Sequence, residues 1–253
     1  MKRILFAVLA LVATTGFAAE WKLVWSDEFN YTGHPDPAKW GYEHGFKRNN
    51  EAQFYTTNRL ENARVENGNL VIEARKEDFE KGRFTSASLI TKGKASWTYG
   101  RIEVRAKIPV ARGSWPAIWM LGTSGGWPDK GEIDIMEAVG HETNKVFGTL
   151  HAGPKHDHSR GGKTTVPDLG ADYHVFAAEW FPDRIDFFVD DQKYMSANKE
   201  TDKQALPEWP FDAPEYLLMN IAIGGAWGGK KGIDETAFPQ RMLVDYVRVY
   251  QRP

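Results

Sequence analysis

Cysteine does not occur anywhere in the 253-residue chain. Its absence excludes a disulfide framework, a thiolate nucleophile and a cysteine-based zinc site. A large excess of one charge is also lacking, because 32 Lys and Arg residues face 34 Asp and Glu residues and the net charge is -2. This balance does not favour a polyanionic partner, so no nucleic acid is expected. Aromatic residues, in contrast, are abundant, with 10 Trp, 9 Tyr and 14 Phe, and flat rings suit the apolar faces of sugars.

Repeats, low-complexity tracts, linkers rich in Ser or Pro, and amphipathic helical patterns longer than ten residues are lacking too. One domain over residues 20–253 is therefore expected. The dominant spacing of apolar residues is two, which is the period of a β-strand. The clearest strand runs from residue 100 to 110 and places on one face Ile102, Val104, Ala106 and Ile108.

Similar alternation recurs in residues 69–75 and 183–191. At the C-terminal end, the same spacing predicts one shared face for Val244, Tyr246, Arg248 and Tyr250. Turn residues at 66–69 and 189–192 are typical of hairpins. Long strands with one charged and one apolar face must stack in pairs to cover the apolar face, so the sequence predicts an all-β sandwich.

The N-terminus is typical of an export signal. Two basic residues precede an apolar stretch over residues 4–12, and Gly16 and Ala18 supply small residues before a cleavage site. A membrane anchor would need about 20 apolar residues, and this stretch is interrupted by polar residues. We therefore expect a signal peptide over residues 1–18 and a secreted or periplasmic mature protein, monomeric and without a membrane partner.

The run GEIDIMEAVG at 131–140 places three carboxylates in an otherwise apolar segment. In a regular strand Glu132 and Asp134 share a face, whereas Glu137 points to the opposite one. One extra residue at a β-bulge, around Ile135 and Met136, would return Glu137 to the face of the other two. The spacing therefore predicts three carboxyl groups on one face.

Close carboxylates repel one another, so their pKa values separate and an acid can lie beside a base. Glycoside hydrolysis with retention needs two such carboxyls about 5–5.5 Å apart. The backbones of Glu132 and Glu137 should be about 13 Å apart, so their side chains must lean toward each other. The alternative is a solvated outer face. Trp115 and Trp119, on one face just upstream, favour a sugar cleft instead.

The segment GEIDIME resembles the ExDxxE signature of family 16 glycoside hydrolases, in the bulged form of laminarinase-like members. Further segments resemble the family in the same order: WSDEFN (25–30), NNEAQFYT (49–56), VENGNLVIEAR (65–75), YGRIEVRAKIP (99–109), WPAIWML (115–121), GTLH (148–151) and DYVRVYQ (245–251). The resemblance implies a concanavalin A-like β-jelly-roll sandwich of two antiparallel sheets with an open cleft. It implies one glycoside hydrolase catalytic domain over residues 20–253.

The resemblance also implies roles for the acidic residues. Glu132 would be the nucleophile and Glu137 the general acid and base, with Asp134 sharing a proton or hydrogen bond between them. The expected substrate-binding residues are Trp115 and Trp119 beside the scissile bond, His151 near the acid/base, and, on the glycone side, Asn49 and Trp227.

Two departures from the family pattern concern the glucose-binding region. Ser88 in TSAS replaces an arginine expected to contact a sugar upstream of cleavage, and Ala226 replaces a frequent asparagine. The expected substrate is a β-glucan polysaccharide or oligosaccharide. A β-1,3-glucan of the laminarin type is the first choice and mixed-linkage β-1,3-1,4-glucan the second.

The reaction implied by the resemblance needs no cofactor. Relatives often bind a structural calcium ion, and the matching positions are Glu28 and Gly68, through backbone carbonyls, and the carboxylate of Asp245. Hard oxygen ligands of this kind suit calcium. The sequence as a whole predicts a secreted, retaining endo-β-glucanase. A transglycosylase and a non-catalytic lectin on the same fold are the alternatives.

Overall fold

The computed structural model describes residues 20–153 and 157–253, so the expected signal peptide lies outside the described residues. The elements, in chain order, are β1 (Lys22–Asp27), β2 (Gly41–Tyr42), β3 (Gln53–Tyr55), β4 (Ala63–Glu66), β5 (Asn69–Phe79), β6 (Gly82–Ser86), β7 (Ser88–Ile90), β8 (Gly100–Lys107), β9 (Ser114–Gly122), β10 (Glu132–Glu137), β11 (Lys145–Ala152), β12 (His158–Thr165), β13 (His174–Trp180), β14 (Arg184–Val189), β15 (Gln192–Asn198), β16 (Glu215–Ile223), α1 (Gly225–Gly228) and β17 (Gln240–Gln251). In the described ranges, no helix has the length and apolar character needed to cross a membrane.

The strands form two sheets, which confirms the predicted all-β sandwich. A ten-stranded sheet has the order β15-β14-β13-β8-β17-β5-β6-β3, with β1 added to β17 and β4 added to β5. A seven-stranded sheet has the order β12-β11-β10-β9-β16-β7-β2. The pairing is antiparallel except between β3 and β6, which run parallel.

The core lies between the sheets. The alternation predicted for β8 is confirmed, since Ile102, Val104 and Ala106 are fully buried. In β16 every residue is buried, because both faces of this strand are covered. One face packs in the core, and the other contributes Tyr216 and Leu218 to a small apolar cluster with β9.

The predicted shared face of four residues on β17 is wrong beyond Val244. A β-bulge between Val244 and Tyr246 adds one residue relative to β8 and exchanges the two faces of the strand. Val247 and Val249 therefore take the core positions and are fully buried, while Arg248 lies on the outer face. The simple period of two could not reveal this inserted residue.

The predicted turns are confirmed where β4 meets β5 and where β14 meets β15. Asn67 and Gly68 adopt positive φ angles of 53° and 73°, as a two-residue hairpin requires. A tighter constraint follows β10, since a Cβ atom on Gly140 would lie 1.8 Å from the carbonyl oxygen of Ala111. Only glycine lets the chain leave the acidic strand this close to the start of β9.

Candidate active site

Strand β10 contains the predicted bulge. Asp134 and Met136 lie opposite consecutive residues of β9, which leaves Ile135 as the extra residue, and the register with β11 shifts over the same stretch. The insertion returns Glu137 to the face of Glu132 and Asp134, and all three line one cleft. The predicted convergence of the three carboxyl groups is therefore confirmed.

The cleft has a volume of about 360 Å³, within the range of about 300–1,000 Å³ that is usual for ligand sites. Its lining residues are Arg48, Asn49, Glu51, Trp115, Ala117, Trp119, Trp127, Glu132, Asp134, Glu137, Thr149, His151, Asp157, Asn220, Ala222 and Trp227. All the residues predicted for catalysis and substrate binding are among them. The fold brings these residues together, and their roles stay predictions.

Burial and mutual repulsion raise the pKa values of the three carboxyl groups. Burial, and then the charge of Glu137, raise the pKa of Asp134 well above its usual range. Burial, and then Asp134, do the same for Glu132. The pKa of Glu137 rises through burial and is partly lowered by a hydrogen bond from Trp115. The cluster thus retains protons toward neutral pH and can offer an acid beside a carboxylate.

Two indole N–H groups hold the outer carboxyls. Trp115 Nε1 donates to Glu137 Oε1 at 2.8 Å, and Trp127 Nε1 donates to Glu132 Oε2 at 2.6 Å. Trp127 was missed in the sequence, although a lone tryptophan in the loop TSGGWPDKG was a usable signal. Its side chain is 59% exposed, so it forms an open aromatic wall beside the predicted nucleophile.

His151 connects the buried acid to the edge of the cleft. It lies opposite Glu132 in the register of β11, with Nε2 3.2 Å from Asp134 Oδ2. Its Nδ1 lies 2.9 Å from both carboxylate oxygens of Asp157, a residue that the sequence motifs did not indicate. Ligand atoms of Glu132, Asp134 and His151 lie within 4.8 Å of one another and could hold a cation. A cation there would neutralise the carboxyls that are predicted for acid–base chemistry, whereas a shared proton would leave that chemistry open.

The predicted glycone-side residues Asn49 and Trp227 also line the cleft. The Trp227 ring packs edge-on against Trp115 at 5.4 Å and against Phe147 at 4.9 Å between centroids. It therefore belongs to the wall of the cleft. Asn49 is exposed, and its carbonyl accepts the backbone N–H of Ala226, which ties the loop before β3 to helix α1.

Trp119 is the predicted stacking residue with the least free surface, since only 6% of it is exposed. Its Nε1 donates to Asn220 Oδ1 at 2.8 Å, and Asn220 in turn donates to the buried Tyr55 hydroxyl at 3.0 Å. These bonds fix the plane of the indole. The Arg48 guanidinium lies 4.8 Å from its ring centroid and covers it.

A fourth carboxyl group, Glu215 on β16, lies behind the cleft and was also missed in the sequence. It is fully buried, and neither of its oxygens has a hydrogen-bond partner among the described residues. Burial, and then the charge of Glu132, raise its pKa well above the usual range. Glu215 therefore favours the neutral form and adds little negative charge behind the nucleophile position.

Comparison with known proteins identifies the family. The family model for glycosyl hydrolases family 16 matches residues 50–248. This chain belongs to that family. It is 53% identical over 249 residues to a β-glucanase of Rhodothermus marinus, covering 92% of this chain and 86% of that protein.

Two solved structures of this family support the assignment. The laminarinase from Rhodothermus marinus has a TM-score of 0.87 and 51% identity, covering 93% of this chain and 99% of that chain. A variant of SCLam, a non-specific endo-β-1,3(4)-glucanase crystallised with a β-glucan oligosaccharide, has a TM-score of 0.84 and 44% identity, covering 93% and 97%. The predicted family and its β-jelly-roll fold are thus confirmed.

The indole bond to Glu137 leads to a pH prediction. A general acid loses activity as pH rises through its pKa, and the Trp115 N–H bond lowers the pKa of Glu137. The substitution Trp115→Phe removes that donor, so the alkaline limb of the kcat/KM profile should move to higher pH. The profile is measured on a soluble oligosaccharide.

Trp119→Phe is the matched control, because its N–H group is bonded to Asn220 and not to a carboxylate. It should leave the position of the alkaline limb unchanged. An alkaline limb that stays in place in the Trp115 variant would contradict the assignment of Glu137 as the acid.

Proposed function

We propose that this chain is a retaining endo-β-glucanase that hydrolyses β-1,3-glucan of the laminarin type and, in second place, mixed-linkage β-1,3-1,4-glucan. The observation that carries the proposal is the pair Glu132 and Glu137 on one face of bulged β10, each held by an indole N–H group. A lectin has no use for such a pair. The related β-glucanase and laminarinase, with SCLam, support a glucan substrate.

The first step transfers the sugar to the enzyme. Glu137 gives its proton to the glycosidic oxygen while a carboxylate oxygen of Glu132 attacks the anomeric carbon. The bond to the leaving group breaks, and that part of the chain departs as an alcohol. Asp134, packed between the two, shares the remaining proton of the cluster, so that Glu132 is ionised while Glu137 is protonated.

The second step releases the sugar. Glu137, now a carboxylate, takes a proton from water, and the oxygen of that water attacks the anomeric carbon. The bond to Glu132 breaks and its carboxylate is restored. Two inversions at the same carbon give net retention, and no cofactor enters either step.

Incubation with a polysaccharide panel tests this function. Laminarin should be shortened fastest and barley glucan and lichenan more slowly, while agarose and carrageenan should remain intact. Early products should be a range of internal fragments sized by chromatography, and their first-formed anomer should be β by NMR. Glu132→Gln removes the nucleophile and should lower kcat at least about a thousandfold, with polysaccharide binding retained.

The matched control is Glu142→Gln, since Glu142 pairs with Lys145 on the surface and does not line the cleft. This variant should keep full activity. Near-wild-type turnover by the Glu132 variant would refute the assignment of the nucleophile, and release of only terminal sugars would refute endo action.

We also propose that the chain acts as a secreted or periplasmic monomer, after removal of residues 1–18. The basic start, apolar stretch and small residues before position 19 support this proposal. A mature N-terminus at Ala19, with a monomer mass by light scattering, is the expected outcome. Retention of the N-terminal segment on the exported protein would contradict it.

We further propose the structural calcium ion at Glu28, Gly68 and Asp245. Asp27 pairs with Val247, and Leu70 pairs with Val244, so all three positions lie close to the bulge of β17. Carbonyl and carboxylate oxygens are the ligands that calcium prefers, and the donor set fits. The Asp245 carboxylate accepts a hydrogen bond from Arg105 at 2.6 Å. A bound calcium ion would share this carboxylate with Arg105.

Calcium should therefore raise the melting temperature. A concentration about 100 times the Kd adds about 2.7 kcal/mol, or about 5–10 °C for a protein of this size, and a chelator should reverse the shift. Asp245→Asn should abolish the calcium response in differential scanning fluorimetry. Arg105→Gln removes the competing partner and leaves all three ligand positions in place, so it should retain the response. An equal response in all three proteins would reject the site.

A further inference from the structure

Arg48 is the one lining residue with a permanent positive charge among the described residues of the cleft. It lies in the loop between β2 and β3, directly before Asn49. Its side chain is 28% exposed, so it is held in place but reachable from the cleft. The family motifs in the sequence did not indicate it.

The guanidinium of Arg48 is seated on an aromatic ring. It lies 4.8 Å from the centroid of Trp119, a favourable cation–π distance, and the indole is fixed by its bond to Asn220. With 6% of Trp119 exposed, a sugar cannot stack on the ring face that Arg48 covers. A sugar that enters the cleft beside Trp119 therefore contacts the Arg48 guanidinium before the indole ring.

The same guanidinium is linked to the position of the family departure. Arg48 Nη2 donates to Glu43 Oε1, and the other oxygen of Glu43 accepts the hydroxyl of Ser88 at 2.8 Å. Ser88 is fully buried on β7 and replaces an arginine in the family pattern. Arg48 and Ser88 therefore share one carboxylate, each through a different oxygen.

The unused hydrogen-bond donors of Arg48 indicate the kind of ligand. A guanidinium has five N–H groups, and in the described part of the chain Arg48 makes its one hydrogen bond to Glu43. The charges of Glu43 and Glu51 lie nearby and act on Arg48. Two carboxylates beside one guanidinium disfavour an anion, so neutral hydroxyl groups are the fitting acceptors.

We infer that Arg48 is a substrate-binding residue that determines glucan affinity in this chain. Seated on Trp119 and oriented by Glu43, it donates hydrogen bonds to hydroxyl groups of a neutral glucosyl unit upstream of the scissile bond. It supplies, from the loop, the guanidinium that the position of Ser88 lacks. This inference rests on the proposed function.

Steady-state kinetics on laminarin oligosaccharides test the inference. A lost hydrogen bond to a charged group weakens binding by about tenfold or more. Arg48→Gly and Arg48→Gln should each raise KM about tenfold with kcat within about twofold, the pattern of lost uniform binding. Adding Ser88→Arg to Arg48→Gly should bring KM back toward the wild-type value, because Glu43 is then free to hold the new arginine.

Lys47→Gln is the matched control, since it removes the neighbouring charge from an exposed side chain outside the cleft lining, and its KM should not change. A melting temperature close to wild type shows that each variant is folded. An unchanged KM in both Arg48 variants would overturn the inference. A lower KM would also overturn it, because Arg48 would then obstruct stacking on Trp119.

Two further outcomes distinguish failure of the Arg48 inference from failure of the proposed function. If Arg48→Gln loses affinity for a sulfated galactan oligosaccharide and not for laminarin oligosaccharides, Arg48 binds an anionic sugar and the inference is wrong. If the wild-type protein cleaves neither laminarin nor barley glucan, the proposed function itself fails. If the wild type is active and the KM of the Arg48 variants is unchanged, the proposed function is supported and only the inference about Arg48 is wrong.

Discussion

One inserted residue in strand β10 is the constraint on which the site depends. Without Ile135 as an extra residue, Glu137 would point with Ile133 into the core, where an unpaired carboxylate costs several kcal/mol. The bulge lies between β9 and β11, which hold it on both sides. Gly140, pressed against Ala111, then directs the chain out of the strand. The chemistry therefore follows from the local register.

Three tryptophans of the cleft act as hydrogen-bond donors as well as apolar surfaces. The indoles of Trp115 and Trp127 each donate to one of the two outer carboxyls, and Trp119 donates to Asn220. Each of these bonds also fixes the direction of a ring, since the N–H group must point at its acceptor. These side chains thus shape the cleft, and the Trp115 bond also lowers the pKa of Glu137.

The departure from the family pattern at Ser88 is linked to a residue that is close in space and distant in the sequence. In the sequence, Ser88 shows only that an arginine of the family pattern is absent. In the structure, the carboxylate of Glu43 joins Ser88 to Arg48, 40 residues away along the chain. A sequence motif cannot show this link, because Arg48 lies in a loop and Ser88 on β7, and the two meet only in the folded protein.

The strand period, the sandwich, the acidic run and the need for a bulge were predictable from the residues alone, because these features depend on neighbours within a few positions. The side chains that lie against the acidic run became known only from the folded protein. Trp127 donates to Glu132, Asp157 holds His151, and the buried Glu215 lies close enough to feel the charge of Glu132. A bulge in β17 also overturned the expected face of that strand. Local periodicity carries no information on which distant side chain fills a given space, and packing between strands settles that choice.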